Sequence, residues 1–125
     1  MTPAEFDTLF ATNVRAPFFL VQGVLDRLRA GGRVVNLSSA VTRMAIPDIL
    51  AYTMTKGAID SFTRVLAQAL GPRGITVNAV APGYVLADMN AWLIDNPDGQ
   101  REASSNDDVR WNTGQTLDAS GGTVL

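Results

Sequence analysis

Tyr52 and Lys56 stand four residues apart in a stretch of helical periodicity, which places a phenol and an ammonium on one helix face. A positive charge beside a phenol favours the phenolate, which would make Tyr52 a usable general acid/base. Composition turns attention to this pair. The chain has no His and no Cys, which excludes a Ser-His-Asp triad, thiolate nucleophiles and metal sites built on either residue. Proton transfer near neutral pH then falls to Tyr, Lys, Asp, Glu, Ser or relayed water. A surface Tyr next to a solvated Lys is the plainer alternative, and Tyr-x-x-x-Lys alone does not decide between them.

Two further residues bear on that choice. Ser39 lies thirteen residues before Tyr52, just past Arg33 to Leu37, a β-branched run that reads as a strand. Parallel α/β folds place their reactive groups at the C-terminal ends of strands. A Ser39 hydroxyl there could hydrogen-bond a substrate carbonyl oxygen, although capping or turn formation is the simpler role for Ser38 and Ser39 alike. Asn13 falls in step with Phe6, Phe10, Pro17 and Val21 on the apolar face of a first helix, where a buried amide needs partners. Pro17 has no N–H to return to the Asn13 carbonyl. That carbonyl is left free to hold an ordered water, and a kink should accompany it.

The elements that must position these residues alternate between helix and strand. Thr2-Pro3-Ala4-Glu5 has the form of a capping box with Pro at the first helical position. Apolar residues at helical spacing continue to Leu28, and Gly31-Gly32 stops the helix. After the strand at Arg33 to Leu37, Ser38 to Leu50 reads as a loop. A second helix spans about Ala51 to Leu70, with Ile59, Phe62, Val65, Leu66 and Ala69 predicted on one face. Ile75 to Val80 is a second strand, broken by Ala81-Pro82-Gly83, and Thr113 to Ala119 a candidate third. Helices alternating with buried strands imply an α/β layered unit with parallel strands.

At 125 residues, 46% hydrophobic and 18% charged, the sequence fits one packed domain rather than two or a disordered tail. Its net charge of −2, with mixed signs, offers no basic stripe to nucleic acid or to an anionic membrane. The longest uncharged apolar stretch, Ala16 to Val24, is too short to span a bilayer. Met1-Thr2-Pro3-Ala4-Glu5 is polar and acidic where a secretory leader is basic. The expected location is cytoplasmic.

Asn13, Ser39, Tyr52 and Lys56, within Val34-Val35-Asn36-Leu37-Ser38-Ser39 and Tyr52-Thr53-Met54-Thr55-Lys56, resemble the catalytic tetrad of the short-chain dehydrogenases/reductases. Asn78-Ala79-Val80-Ala81-Pro82-Gly83 matches too, as does Thr113-Gly114-Gln115-Thr116-Leu117-Asp118 ahead of Gly121-Gly122. The resemblance covers nearly the whole chain apart from roughly Ala91 to Ser104, and leans towards members similar to 3-oxoacyl-acyl-carrier-protein reductase. It implies the C-terminal part of a Rossmann-like, doubly wound parallel sheet. It also implies an NAD(P)-dependent oxidoreductase acting on a small carbonyl or alcohol substrate, with NAD and NADP both open. By this resemblance Tyr52 gives a proton to the substrate oxygen and Lys56 bonds the nicotinamide ribose. Ser39 holds the substrate oxygen, and Asn13 anchors a water that relays protons to Lys56. Pro82, Gly83 and the Val85 backbone lie against the nicotinamide. A homo-oligomer through the two long helices is the implied assembly.

The departures from the family pattern are as specific. Its N-terminal βαβ half, with the Gly-rich strand–turn–helix that receives the pyrophosphate, has no counterpart here. Gly31-Gly32 precedes a strand, and Gly121-Gly122 is four residues from the end. Residues 1–125 are therefore expected to form a single, partial catalytic domain, with residues 91–110 a shortened lid. Ala87 stands where the family usually has a Thr that touches the cofactor. The first strand should expose an edge, and one sheet face should be uncovered, favouring association or marginal stability. A second function class follows: an inactive fragment or dimerising module that cannot bind cofactor. A Ser-Lys hydrolase using Ser39 and Lys56 explains neither Tyr52 nor the Pro-Gly segment.

Overall fold

The computed structural model describes residues 1–83 and the backbone of residues 116–117. Its first element is α1 (Pro3–Phe10), opened by the expected capping box: Thr2 accepts from the Glu5 N–H, and Glu5 accepts in return from the Thr2 N–H. The helix then widens into a π-helical turn at Ala11–Arg15 and continues as α2 (Ala16–Val24), ending in a 3₁₀ turn at Leu25–Arg27. The single helix expected up to Leu28 is thus two helices around a π turn, and it ends earlier. The cause is Pro17, which cannot donate to Asn13, so the backbone rearranges locally and Ala16 donates to Ala11 five residues back.

Gly31 (φ 75°) takes the left-handed conformation that lets the chain turn into β1 (Arg33–Leu37), which has the boundaries expected of it. The segment expected to be a loop carries two 3₁₀ turns, Ala40–Arg43 and Pro47–Ile49, before α3 (Leu50–Leu70). Gly74 (φ 66°) then turns the chain into β2 (Thr76–Val80). β2 pairs parallel with β1, Arg33 against Thr76 through Leu37 against Val80. A two-residue strand, β3 (Thr116–Leu117), joins the other side of β2 antiparallel, giving the order β1-β2-β3. Its direction departs from the all-parallel expectation.

The core sits between the sheet and the C-terminal half of α3. Ile75 and Val77 are fully buried and pack with Ala67 and Leu70, while Leu25, Leu28, Val34 and Leu66 close over them. Burial of each such β-branched side chain stabilises by about 1.5–3 kcal/mol. Arg73 ties the first helical segment to this core by donating to the carbonyls of Leu25 (3.1 Å) and Leu28 (2.6 Å) near its end. Those carbonyls lie at a helix C-terminus, where a guanidinium satisfies free acceptors and the dipole together.

The buried face of α3 matches the expected one only in part: Ile59 is buried and Leu66 packs against the core. Thr55, Lys56, Ile59, Thr63, Ala67 and Leu70 face inward, while Val65 is 71% exposed and Ala69 is also exposed. Polar residues are tolerated inside because they are paired. Asn36 of β1 donates to the Thr63 hydroxyl, which in turn donates to the Ile59 carbonyl. Among the described residues, no helix is long and apolar enough to cross a membrane.

Candidate active site

The end of β1 and one face of α3 build the site. β1 stops at Leu37, but its pairing to the second strand continues through the loops. The Ser38 N–H donates to the Val80 carbonyl (2.7 Å) and the Ala40 N–H to the Pro82 carbonyl (3.0 Å). Ser39 is therefore held beside the Pro82-Gly83 turn, at the C-terminal end of two parallel strands. Its hydroxyl caps the following 3₁₀ turn by accepting from the Val41 N–H (3.4 Å), and its carbonyl accepts from Thr42. The turn-forming role that its sequence allowed is present, and its position at the strand end holds as well.

Tyr52 and Lys56 share the α3 face that points to this strand end. The Lys56 ammonium lies 5.6 Å from the centre of the Tyr52 ring. Lys56 is only 8% exposed, and it donates to the Leu37 carbonyl at 2.9 Å, next to Ser38 and Ser39. Burial pushes its pKa below the usual lysine value, and the nearby Asp60 carboxylate pulls it part of the way back.

Asn13 reaches the same helix by another route. Its side-chain amide donates to the Thr55 hydroxyl (3.1 Å), and that hydroxyl donates to the Tyr52 carbonyl (2.7 Å). The π turn thus docks on the first turns of α3 through a two-bond relay that ends at the Tyr52 backbone. π turns inside helices recur at functional sites because they redirect backbone groups. Here the Asn13 carbonyl loses its Pro17 partner while the Asn13 side chain is held against α3.

The structure brings Asn13, Ser39, Tyr52, Lys56 and Pro82-Gly83 to one end of the sheet. Val85, Ala87 and the lid expected at 91–110 lie outside the described residues. Two residues were missed by sequence reasoning. Thr55, fully buried, is the link between Asn13 and Tyr52. Asp60 accepts from the Ser38 hydroxyl across the helix–strand contact. Thr55 could have been found as a β-branched residue inside Tyr-x-x-x-Lys, and Asp60 as the next position in the Tyr52, Lys56 series at four-residue spacing. Among the described residues, no group of three carboxylates is placed to hold a metal ion.

A parallel strand pair backed by helices, with a buried Lys, a Tyr and a Ser at the strand ends, defines an α/β unit. The comparisons narrow this to a family. The family model described as enoyl-(acyl carrier protein) reductase matches residues 1–124. Versicolorin reductase of Emericella nidulans is 44% identical over 90 residues, covering 71% of this chain and 34% of that protein. A hydroxynaphthalene reductase-like protein of Metarhizium brunneum is 45% identical over 96 residues, with 74% and 36% covered. Among solved structures, the angucycline C-6 ketoreductase LanV with bound NADP is 41% identical at a TM-score of 0.74, covering 83% of this chain and 40% of that one. A gluconate 5-dehydrogenase from Burkholderia cenocepacia, in complex with NADP and tartrate, is 27% identical at a TM-score of 0.77, with 84% and 42% covered. The chain belongs to the short-chain dehydrogenases/reductases. It spans little more than a third of the length of these two curated relatives.

Proposed function

We propose that the protein is a nicotinamide-dependent oxidoreductase of the ketoreductase type, with Asn13, Ser39, Tyr52 and Lys56 as its working residues. The observation that carries this is the buried Lys56 ammonium beside the Tyr52 ring, at a strand end that also holds Ser39. Ser39 offers a hydroxyl to bond a substrate oxygen, and Tyr52 exchanges a proton with that oxygen. Lys56 supplies positive charge next to the phenol. The nicotinamide cofactor, when bound, supplies or accepts the hydride. Relatives with bound NADP favour that form, and their ketoreductase names favour a carbonyl substrate.

The residues present fit the nicotinamide end of such a cofactor. A lysine ammonium has three N–H groups, and Lys56 commits one to Leu37, which leaves donors for ribose hydroxyls. The Pro82-Gly83 turn is tied beside Ser39, where the flat ring could lie. Among the described residues there is no Gly-rich turn leading from a strand into a helix to take the phosphates. The α1 N-terminus is filled by the Glu5 carboxylate, which repels them.

Turnover of a polycyclic ketone with NADPH tests the reading, with Tyr52→Phe as the diagnostic variant. Loss of the phenolic proton should lower kcat by about 10²–10⁴-fold. Unchanged turnover in Tyr52→Phe would remove Tyr52 from the chemistry.

A second reading, an association module, draws on specific exposures. Val35 and Leu37 are 65% and 64% exposed on β1, and Phe18, Phe19 and Leu20 are exposed on α2. These surfaces suit a homo-oligomer, and a folded chain that binds no nicotinamide cofactor would favour this reading over the first.

A further inference from the structure

Asp60 lies one turn beyond Lys56 on the same face of α3, and each grips a neighbouring residue at the end of β1. Lys56 donates to the Leu37 carbonyl, and Asp60 accepts from the Ser38 hydroxyl. The next residue along the strand end is Ser39. Ser38 is 2% exposed, so this junction is shielded from water. Resting on the function proposed above, we propose that Asp60 is a positioning residue for the Tyr52–Lys56 pair. Its carboxylate is the counter-charge of the Lys56 ammonium and is fixed in place by Ser38.

The electrostatics follow from the surroundings. Burial alone works against a charged Lys56, because a desolvated ammonium loses its hydration. Asp60 opposes that loss through space. The elements packed on this face bring uncharged groups: the Leu37 carbonyl and Ser38 hydroxyl from β1, and the Asn13 amide by way of Thr55 from the π turn. Among the described residues, the titratable neighbours of Lys56 are Asp60 and the Tyr52 phenol, both on α3. A charged Lys56 is what the Tyr52 chemistry requires, and Asp60 maintains it.

The sequence supplies an unusually clean probe. Lys56 is the only lysine among the ten basic residues of the chain, so a lysine-labelled sample gives one side-chain signal. Its ionisation can be followed by nuclear magnetic resonance in the 125-residue chain without cofactor or substrate. The outcome is therefore independent of whether the chain turns over. In Asp60→Asn, which keeps an acceptor for Ser38 but removes the charge, the Lys56 midpoint should fall by about half a pH unit or more. Asp60→Glu should restore most of it. An unchanged midpoint in Asp60→Asn, or an equal fall in Asp60→Glu, overturns the proposal. If circular dichroism shows Asp60→Asn to be unfolded, the unmodified chain decides. Its Lys56 signal should carry a second inflection when acid protonates Asp60, and a curve without one overturns the proposal.

Discussion

Thr55 shows how much of this site depends on a residue with no chemistry of its own. It is fully buried, it receives the Asn13 amide and it donates to the Tyr52 carbonyl. Replacing it by Val keeps the shape and removes both bonds, leaving the Asn13 amide without its acceptor. Asn13 is half-buried, so its amide regains water in part and the loss is that of an ordinary hydrogen bond, about 0.5–1.5 kcal/mol. Thr55→Val should therefore lower stability by that amount in denaturant melts, while the shape-matched core around Ile59 stays intact. A change within experimental error would show that the relay carries no load. The four candidate positions were legible through the motifs that resemble the short-chain dehydrogenases/reductases, and Tyr52 and Lys56 through their four-residue spacing as well. The sequence hid Thr55 and Asp60 because each acts through a contact made by tertiary packing, the first across 42 residues to Asn13 and the second across 22 to Ser38.

Helix and strand boundaries were legible where a local rule governs them. The capping box set the start of α1, and the β-branched run between Gly32 and Ser38 set both ends of β1. Pro17 signalled a disturbance at Asn13, and the structure gives it a definite form, a π turn. The orientation of α3 was legible in part. Periodicity put Ile59 and Leu66 inward, where the structure has them, but also Val65 and Ala69, which are exposed. The inward stripe extends instead over Thr55, Lys56 and Thr63, whose polar groups are paired: Asn36 gives Thr63 a buried partner and Lys56 reaches the Leu37 carbonyl. Polar side chains that periodicity of apolar residues leaves out can thus face the sheet when each is satisfied. The antiparallel direction of β3 likewise has no local signal, since strand direction is fixed by the route of the connection.

The molecule as a whole carries a sheet whose two faces are unequal. Val34 and Val77 turn towards the helices, while the register places Val35 and Leu37 together with Asn78 and Val80 on the other side. Val35 and Leu37 are largely exposed, and the Asn78 side-chain oxygen is buried without a hydrogen-bond partner. Apolar area left to water favours association. Self-association through this face, as proposed, predicts that replacing Val35 and Leu37 together by Thr shifts the chain towards monomer in sedimentation velocity. Unchanged self-association would assign it to other surfaces, such as the exposed Phe18, Phe19 and Leu20.

The measurement that bears most directly on the function is a titration of the folded 125-residue chain with NADPH and NADH, followed by nicotinamide fluorescence. The arrangement of Lys56, Tyr52, Ser39 and the Pro82-Gly83 turn predicts saturable binding that weakens sharply in Lys56→Ala. A chain that circular dichroism shows to be folded, and that leaves the fluorescence of both nucleotides unchanged, would contradict it.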